Sequence, residues 1–254
     1  MPGFKIIYED DDIYVTFKDA GLLTEATRRH EPFTLEGALN DRLRKGQSRS
    51  RRHVWLVHRL DRDTAGVLVV AKNEEACEAL KNCWHESVVK QYLAVVRGVP
   101  DPPSGVLKGC LYGDADLFVR QIPESAARAF SARHPGVALK YAETAYETLG
   151  AKRGMALLRL TLATGRRNQI RVQLADAGWP ILGDSKYGAP SRGAPAPLHL
   201  HAFRLSFPHP RTGERMTFEI LPDRGMFAAF DVPALCGART APERGRGNER
   251  GKPK

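Results

Sequence analysis

The sequence is poor in cysteine and lacks the patterns in which cysteine usually does chemistry. None of its four cysteines belongs to a Cys-x-x-Cys pair, and none has histidines at metal-ligand spacing. Neither a zinc site nor a disulfide framework is indicated, so we expect reduced thiols that pack as ordinary side chains, and no bound metal. The four residues are Cys77, Cys83, Cys110 and Cys236.

Long hydrophobic runs are also absent. No uninterrupted apolar stretch approaches the roughly 20 residues that a membrane span needs. The N-terminal segment, Met1 to Glu9, has no apolar core of the kind found in secretory signals. We therefore expect a cytoplasmic protein that has no membrane partner.

Acidic residues are fewer than basic ones. The chain has 29 Asp and Glu against 39 Lys and Arg, with a formal net charge of +10 and a pI near 9.6. This excess favours a polyanionic partner, although charge alone does not establish one. The 254 residues, 42% of them hydrophobic, suffice for one large domain. We expect a monomeric catalytic domain over residues 1–236 and a basic, disordered tail over 237–254.

Apolar periodicity and turn signals predict an α+β fold. We expect a mixed, largely antiparallel sheet with a few helices on one side, and an excursion from the core over residues 101–135. Thr34, Asn73 and either Thr164 or Asn168 are the predicted helix caps. The predicted strands are 4–8, 13–17, 54–57, 67–71, 88–96, 107–112, 117–121, 144–149, 156–162, 200–207 and 216–221, and helices are predicted to begin near residues 35, 74, 124 and 168.

A short charged turn between two apolar runs is the strongest candidate for a reactive site. It lies between 54–57 and 67–71, and Asp61 in it has Arg59 and Arg62 close by in sequence. Nearby arginines favour the charged form of a carboxylate, which suits a nucleophile or an electrostatic stabiliser. Asp63 is interpreted as a turn former.

A run of six basic residues without an acid precedes this turn. On charge alone it is equally compatible with a solvated loop and with phosphate contacts. Its position next to the Asp61 turn favours phosphate contacts, because contacts to the nucleic-acid backbone set the register of a site. The candidate RNA-binding residues in this run are Arg44, Lys45, Arg49, Arg51 and Arg52.

Four segments, in order, match longer motifs and together cover about residues 4–222. Residues 58–66, HRLDRDTAG, match the long signature H-R-L-D-R-x-[ST]-[SA]-G. Residues 90–98, KQYLAVVRG, are similar to K-x-Y-L-A-x-V-x-G, and 165–188 are similar to G-R-T-H-Q-I-R-V-H…P-I-x-G-D-x-x-Y-G. Residues 200–202 with 207–210 are similar to a closing L-H-A…F-x-H-P hairpin. On these four segments the chain resembles the RluA-type pseudouridine synthases.

The resemblance implies a sheet with a central active-site cleft and the isomerisation of uridines in structured RNA, ribosomal or transfer RNA, to pseudouridine. It implies that Asp61 is the catalytic aspartate, Tyr92 the tyrosine against the target base and Arg171 the arginine that pairs with the aspartate. It also implies that Arg59 enters the RNA stack when the uridine flips. The reaction requires no cofactor or nucleotide, and we expect no S4 RNA-binding domain in this chain.

Two departures from the family pattern stand near the predicted site. Lys18-Asp19-Ala20-Gly21 replaces the usual Lys-Pro-x-Gly, and Arg167-Asn168 replaces the usual Thr-His. Since the three residues matched to the chemistry are intact, these departures bear on the choice of substrate more than on the reaction.

Each candidate residue also has a structural interpretation. Asp61 can cap its turn, and Tyr92 can be a core aromatic of a strand. Arg171 can pair with another acid such as Asp184, and Arg59 can make a second ion pair to Asp61.

The remaining RNA-binding candidates are Arg62 and Lys186, and Lys186 in the turn at 183–188 can touch phosphate. Two other functions stay open from the sequence: a catalytically silent RNA-binding or assembly factor that uses the same cleft, and a nucleoside hydrolase. We favour the synthase, with Asp61 removing a ribose proton to give a glycal rather than attacking C1′ or C6.

Overall fold

A computed structural model describes residues 3–27, 33–45, 47, 50–114, 118–188 and 196–237. Its strands form one sheet. They are β1 (Phe4–Glu9), β2 (Ile13–Lys18), β3 (Trp55–Leu56), β4 (Ala65–Ala71), β5 (Val89–Arg97), β6 (Ser104–Gly113), β7 (Val119–Ile122), β8 (Lys140–Lys152), β9 (Met155–Leu162), β10 (Leu200–Pro208) and β11 (Arg215–Glu219).

Short helices connect these strands. They are α1 (Leu35–Arg44), α2 (Glu74–Cys83), α3 (Ala127–Arg133), α4 (Gln169–Asp176) and α5 (Val232–Leu235), with 3₁₀ turns at Glu124–Ala126 and Gly225–Ala229. The predicted caps of α1 and α2 are confirmed, because Thr34 accepts from the amide of Gly37 and Asn73 from that of Ala76. The α+β class is confirmed by the mixture of sheet and helices.

The strand order is β1-β2-β4-β10-β5-β9-β8-β6-β7, with β11 on β10 and β3 on β4. Among the described strands, β4 and β10 run parallel and every other pair is antiparallel. Gly66 lies where β4 and β10 meet, and a Cβ there would stand 2.2 Å from the carbonyl oxygen of Ala202. Only glycine fits this close approach, which explains the glycine of the 58–66 segment.

The sheet is covered on both faces, so the expectation of helices on one side is wrong. Alternate residues of a strand point to opposite faces, and Leu68 of β4 packs with α1 and α4 while Val69 packs with α2. Phe227 and Val232, near the C-terminal end, cover β5 and β9 on the same face as α2. Apolar residues therefore fill both sides of the central strands, which read as continuous hydrophobic runs.

Most predicted strands are found within a few residues of their expected bounds. The run at 54–57 is shorter than predicted, since only Trp55 and Leu56 pair with β4. The expected excursion over 101–135 contains β6, β7 and α3, and β6 joins the main sheet through β8. This segment forms one edge of the sheet, beside the cleft described below.

In the part of the chain that the structure describes, no helix is long and apolar enough to cross a membrane. Residues 238–254, which include nearly all of the predicted tail, lie outside the described residues, as does Arg49 of the basic run.

Candidate active site

The loop that carries Asp61 joins β3 to β4 and is held by the segment that follows β2. The buried Nζ of Lys18 donates to three carbonyl oxygens: those of Asp19 (3.0 Å), Leu22 (2.7 Å) and Arg62 (3.0 Å). Thr24 donates its hydroxyl to the carbonyl of Leu60 at 2.9 Å. Because the carbonyls of Leu60 and Arg62 flank Asp61, these bonds fix the position of its backbone.

Lys18 has no carboxylate within ion-pair distance among the described residues, and burial lowers its pKa to about 8. It therefore acts as a hydrogen-bond donor that ties two segments together, 44 residues apart. This role of Lys18 was not predicted from the sequence. Its three partners are backbone carbonyl groups, which every residue has, so no residue type marks them.

One cavity brings the three predicted catalytic residues together. Asp61, Tyr92 and Arg171 all line it, and Arg59 and Arg167 line it as well. The three come from the β3–β4 loop, from β5 and from α4, which converge on the face of the sheet that also carries α1. Sequence reasoning from the motifs placed them in one cleft, and this proximity is found.

Arg171 contacts two carboxylates in different ways. Its Nε and Nη2 each donate to Asp184 at 2.8 Å, whereas its Nη1 stands 3.9 Å from an oxygen of Asp61. The predicted pairing with Asp61 and its alternative with Asp184 are therefore both present. The bidentate bond to Asp184 sets the orientation of the guanidinium, which then faces Asp61 with its remaining nitrogen.

Asp184 is held as an anion. Burial opposes its ionisation, but the hydrogen bond and charge of Arg171 and the amides of Tyr187 and Lys186 outweigh it and lower the pKa of Asp184. Its side chain is 2% exposed. Asp184 was predicted only as an alternative partner of Arg171, although it stands in the G-D-x-x-Y-G segment.

Asp61 has the opposite electrostatic balance. Burial raises its pKa and outweighs the attraction of Arg171, Arg59, Lys18 and Arg167. The expectation that flanking arginines favour the charged form is therefore wrong in its net effect. One reason is that Arg62 points away and pairs loosely with Asp63 at 3.8 Å, while Arg59 bonds to Glu25.

Tyr92 is a buried strand aromatic that also lines the cavity. Burial, reinforced by the nearby charge of Asp61, raises its pKa, so its phenol stays protonated at neutral pH. Both interpretations drawn from the sequence, a core aromatic and a cleft tyrosine, fit this placement. Its flat ring can pack against a base without exchanging a proton.

His58, the first residue of the 58–66 segment, is not placed to act as a base. Burial lowers its pKa to about 3. Its Nε2 accepts from the amide of Val69 at 3.1 Å, and its ring packs on Trp84 with centroids 4.7 Å apart. It holds the start of the loop against β4 and α2.

The N-terminus of α4 differs from its predicted capping. Asn168 has a left-handed backbone (φ 55°) and makes no capping bond to the helix. Its amide instead donates to the hydroxyl of Tyr187 at 3.0 Å, and the same hydroxyl accepts from the amide of Val119. Tyr187 thus joins α4 to β7, and Arg171 lies over its ring at 5.3 Å.

The predicted RNA-binding cations fall into two groups. Arg51 and Arg52 are exposed, Lys45 ends α1, and Arg44 donates to the carbonyl of Arg52 at 2.8 Å. Lys186 is half-buried and lies over the rings of Phe118 and Tyr187. None of the described residues of the basic run lines the cavity, and Lys186 shares the ring of Tyr187 with Arg171.

A group of potential metal ligands lies outside this cavity. Asp10, Asp12 and His209 bring their ligand atoms within 4.8 Å of one another. Arg211 and Asn73 already bond to Asp12, and Nε2 of His209 stands 2.9 Å from Asp10. Since each carboxylate has protein partners, this group is a hydrogen-bonded junction between the β1–β2 turn and the β10–β11 turn.

Comparisons with known proteins agree on one family. The sequence profile described as RNA pseudouridylate synthase matches residues 12–176. An uncharacterized RNA pseudouridine synthase of Aquifex aeolicus is 37% identical over 227 residues, covering 85% of this chain and 68% of the relative. The dual-specificity RNA pseudouridine synthase RluA of Escherichia coli K12 is 35% identical over 225 residues, which cover 87% of this chain and 94% of the relative.

A solved structure is similar as well. The human protein described as RNA Pseudouridylate Synthase Domain Containing 4 superposes with a TM-score of 0.66 at 25% identity, covering 85% of this chain and 88% of that chain. The likeness covers most of both chains, which confirms the fold that the motifs imply.

Proposed function

The chain belongs to the RNA pseudouridylate synthase family, and on that premise we propose that Asp61, Tyr92 and Arg171 are its catalytic residues. As a member of the family it is an isomerase that acts on RNA. The observation that carries our proposal is that these three side chains line one cavity, with Arg171 held between Asp184 and Asp61.

The isomerisation moves one bond and consumes nothing. The N1–C1′ bond breaks, uracil turns, and C5 bonds to C1′, so the product has the same atoms as the substrate. Asp61 has three possible roles here: attack on C1′, attack on C6, or removal of a ribose proton. We propose removal of a proton, a role that the raised pKa of Asp61 suits because its carboxylate is then a stronger base than an ordinary aspartate.

In this route Asp61 takes the proton from C2′ as the N1–C1′ electron pair leaves with uracil, which gives a glycal and a uracil anion. After the base turns, C5 attacks C1′ and Asp61 returns its proton to C2′. The hydrogen on C5 is then lost as a proton, and N1 gains one, so the proton count is conserved. Arg171 orients the carboxylate between these two transfers.

The target base must leave its stack before it can reach Asp61. Tyr92 would pack against the flipped uracil, and Arg59, at the mouth of the cavity, would leave Glu25 and fill the gap in the RNA. We propose ribosomal or transfer RNA as the substrate, and one relative is named a dual-specificity enzyme, which is compatible with either.

Affinity would come from cations around the cleft. Arg44, Lys45, Arg51 and Arg52 form a basic surface next to α1, and we propose that they contact phosphates together with Arg62 and Lys186. Arg49 and the basic residues of 238–254 would add to this contribution. We also propose that the domain acts as a monomer in the cytoplasm, where its four cysteines stay reduced.

The test compares Asp61→Asn with its neighbour Asp63→Asn. Each purified protein is incubated with total RNA from cells that lack the enzyme, and pseudouridine is mapped and quantified. We expect Asp61→Asn to lose at least about 10³-fold in rate, whereas Asp63→Asn, which is exposed, stays near wild type.

Restoration of the missing pseudouridine by Asp61→Asn would show that Asp61 is not catalytic. Rescue of a growth defect by Asp61→Asn without any pseudouridine would instead indicate an assembly role for the cleft.

A further inference from the structure

A second cavity adjoins the catalytic one. It has a volume of about 630 Å³ and lies between β6, the loop at 136–138 and the segment that precedes α4. Arg59, Gly165, Arg166 and Arg167 line both cavities, so these residues form the wall between them. We call the three arginines the arginine ridge and the second space the flanking cavity.

The flanking cavity combines an aromatic wall with positive charge. Tyr112 is half-buried in it, and its ring packs on Phe130 with centroids 4.7 Å apart. Lys140 and the arginine ridge add four cations, and no carboxylate belongs to the lining among the residues that the structure describes. An aromatic surface beside clustered cations is the combination that binds single-stranded nucleic acid.

Arg166 is the member of the ridge that a neighbouring group holds in place, because it donates its Nε to the carbonyl of Tyr141 at 3.1 Å. Arg59 pairs with Glu25 at an exposed site and is the arginine proposed above to leave that pair. Arg167 is one of the two departures from the family pattern, since threonine is usual at its position. The charge of the ridge is therefore greater in this chain than the family pattern would give.

We propose that the flanking cavity is the subsite for the base next to the target uridine. That base stacks on Tyr112, and the phosphate that joins the two nucleotides lies on Arg166 and Arg167 of the arginine ridge. The proposal rests on the proposed function, because the target uridine occupies the Asp61 cavity. RNA bound here has both bases out of the helical stack, which is the form in which proteins read RNA in detail.

Gly136 offers a way to close the subsite without strain. It is exposed, its backbone is outside the left-handed region, and a Cβ built on it would meet nothing within 4 Å. The Cβ of a larger side chain therefore has room at this position, and since Gly136 lines the flanking cavity we expect a phenylalanine here to take up part of that space. Gly136→Ala is the matched control, because it makes the same backbone change and leaves the cavity open.

The probes are uridine dinucleotides that carry terminal phosphates. In two further versions either the first or the second base is missing while every phosphate remains, so a difference in affinity reports a base and not a charge. Each is measured by competition with a fluorescent octauridylate. If one base fills each cavity, removal of either base costs the stacking energy of that base. The intact dinucleotide should therefore bind about 5- to 150-fold more tightly than each abasic version.

The variants assign this gain to the flanking cavity. In Tyr112→Ala and in Gly136→Phe, we expect one of the two bases to raise the affinity by less than about twofold, while the other base contributes as it does in the wild-type chain. In Gly136→Ala, both bases should contribute as in the wild-type chain. Thermal melting of all three confirms that they fold. A wild-type chain without two base-dependent gains, or gains that survive both Tyr112→Ala and Gly136→Phe, would overturn the proposal.

The subsite and the proposed function fail separately. If the subsite is wrong, the wild-type chain still forms pseudouridine in an Asp61-dependent way. If the proposed function is wrong, Asp61→Asn still forms pseudouridine, whatever the dinucleotides show.

Discussion

Two aspartates share Arg171, and the protein treats them in opposite ways. Asp184 accepts two bonds of 2.8 Å, is 2% exposed and has a lowered pKa. Asp61 stands 3.9 Å away, is 26% exposed towards the cavity and has a raised pKa. Pairs of acids whose surroundings push their pKa values apart commonly divide their roles. This difference supports the proposed division of roles, in which Asp184 is structural and Asp61, which is basic and accessible, takes part in the reaction.

The strongest test of this difference between the two aspartates is to replace each by asparagine and to measure the free energy of unfolding at pH 7. Asp184→Asn is expected to destabilise the protein by about 3–5 kcal/mol, because it leaves the buried charge of Arg171 uncompensated. Asp61→Asn is expected to stabilise it by up to about 1 kcal/mol, as often happens when a strained functional group is removed.

The two effects should also respond differently to pH. Ionised Asp61 costs stability above its raised pKa, and this cost disappears once the pH falls below the ordinary aspartate value of 3.8. Ionised Asp184 contributes stability above 3.8, and this contribution is lost as the pH falls through its lowered pKa. Equal destabilisation by both variants at pH 7 would contradict the division of roles.

Substitution of Lys18 is expected to have the next largest effect, because Lys18 holds the backbone next to Asp61 in place. Lys18→Met leaves buried carbonyls without their donor, at about 1–3 kcal/mol for an unpaired group, so we expect a loss of about 2–4 kcal/mol of stability in chemical denaturation. Release of the Arg62 carbonyl should also displace Asp61 and lower kcat at least about tenfold, with KM little changed.

The matched control for this variant is Lys5→Met, which makes the same change at an exposed site on β1. An equal effect of both substitutions on kcat would show that Lys18 does not position the loop.

The basic surface should give the smallest effect, because its charges lie outside the cavity. The double variant Arg51→Ala/Arg52→Ala is expected to reduce the slope of log affinity against log salt by about 1.4, which corresponds to two phosphate contacts with single-stranded RNA. Removal of the tail, residues 237–254, should likewise weaken the affinity for RNA and flatten its salt dependence.

Neither change should alter which uridine is modified, and Arg224→Ala, at an exposed site, is the control. If the double variant or the truncated chain modified a different uridine, the basic surface would have a role in the choice of site.

Several elements of the fold could be predicted because they depend on residues that are close together in the sequence. The β1–β2 hairpin and the capped helices α1 and α2 follow from turn residues, apolar spacing and side-chain caps within a few positions of one another. The motifs around Asp61, Tyr92 and Arg171 predicted a shared cleft, and the three do line one cavity.

What the sequence did not predict depends on distant segments. The bond from Lys18 to Arg62 spans 44 residues and ends on a backbone oxygen, which has no residue type. The net pKa shift of Asp61 could not be deduced from its flanking arginines, since burial dominates and Arg62 turns outward. The capping of α4 was wrong for a similar reason, because Asn168 bonds to Tyr187, 19 positions away.

The most direct test of the account is a carbon NMR titration of the aspartate carboxyl groups, with Asp61 and Asp184 assigned through their asparagine variants. We predict a midpoint above 3.8 for Asp61 and below 3.8 for Asp184, and kcat/KM that falls at low pH with the midpoint of Asp61. A midpoint for Asp61 at or below 3.8, or activity that ignores its protonation, would contradict the assignment of Asp61 as the reactive base.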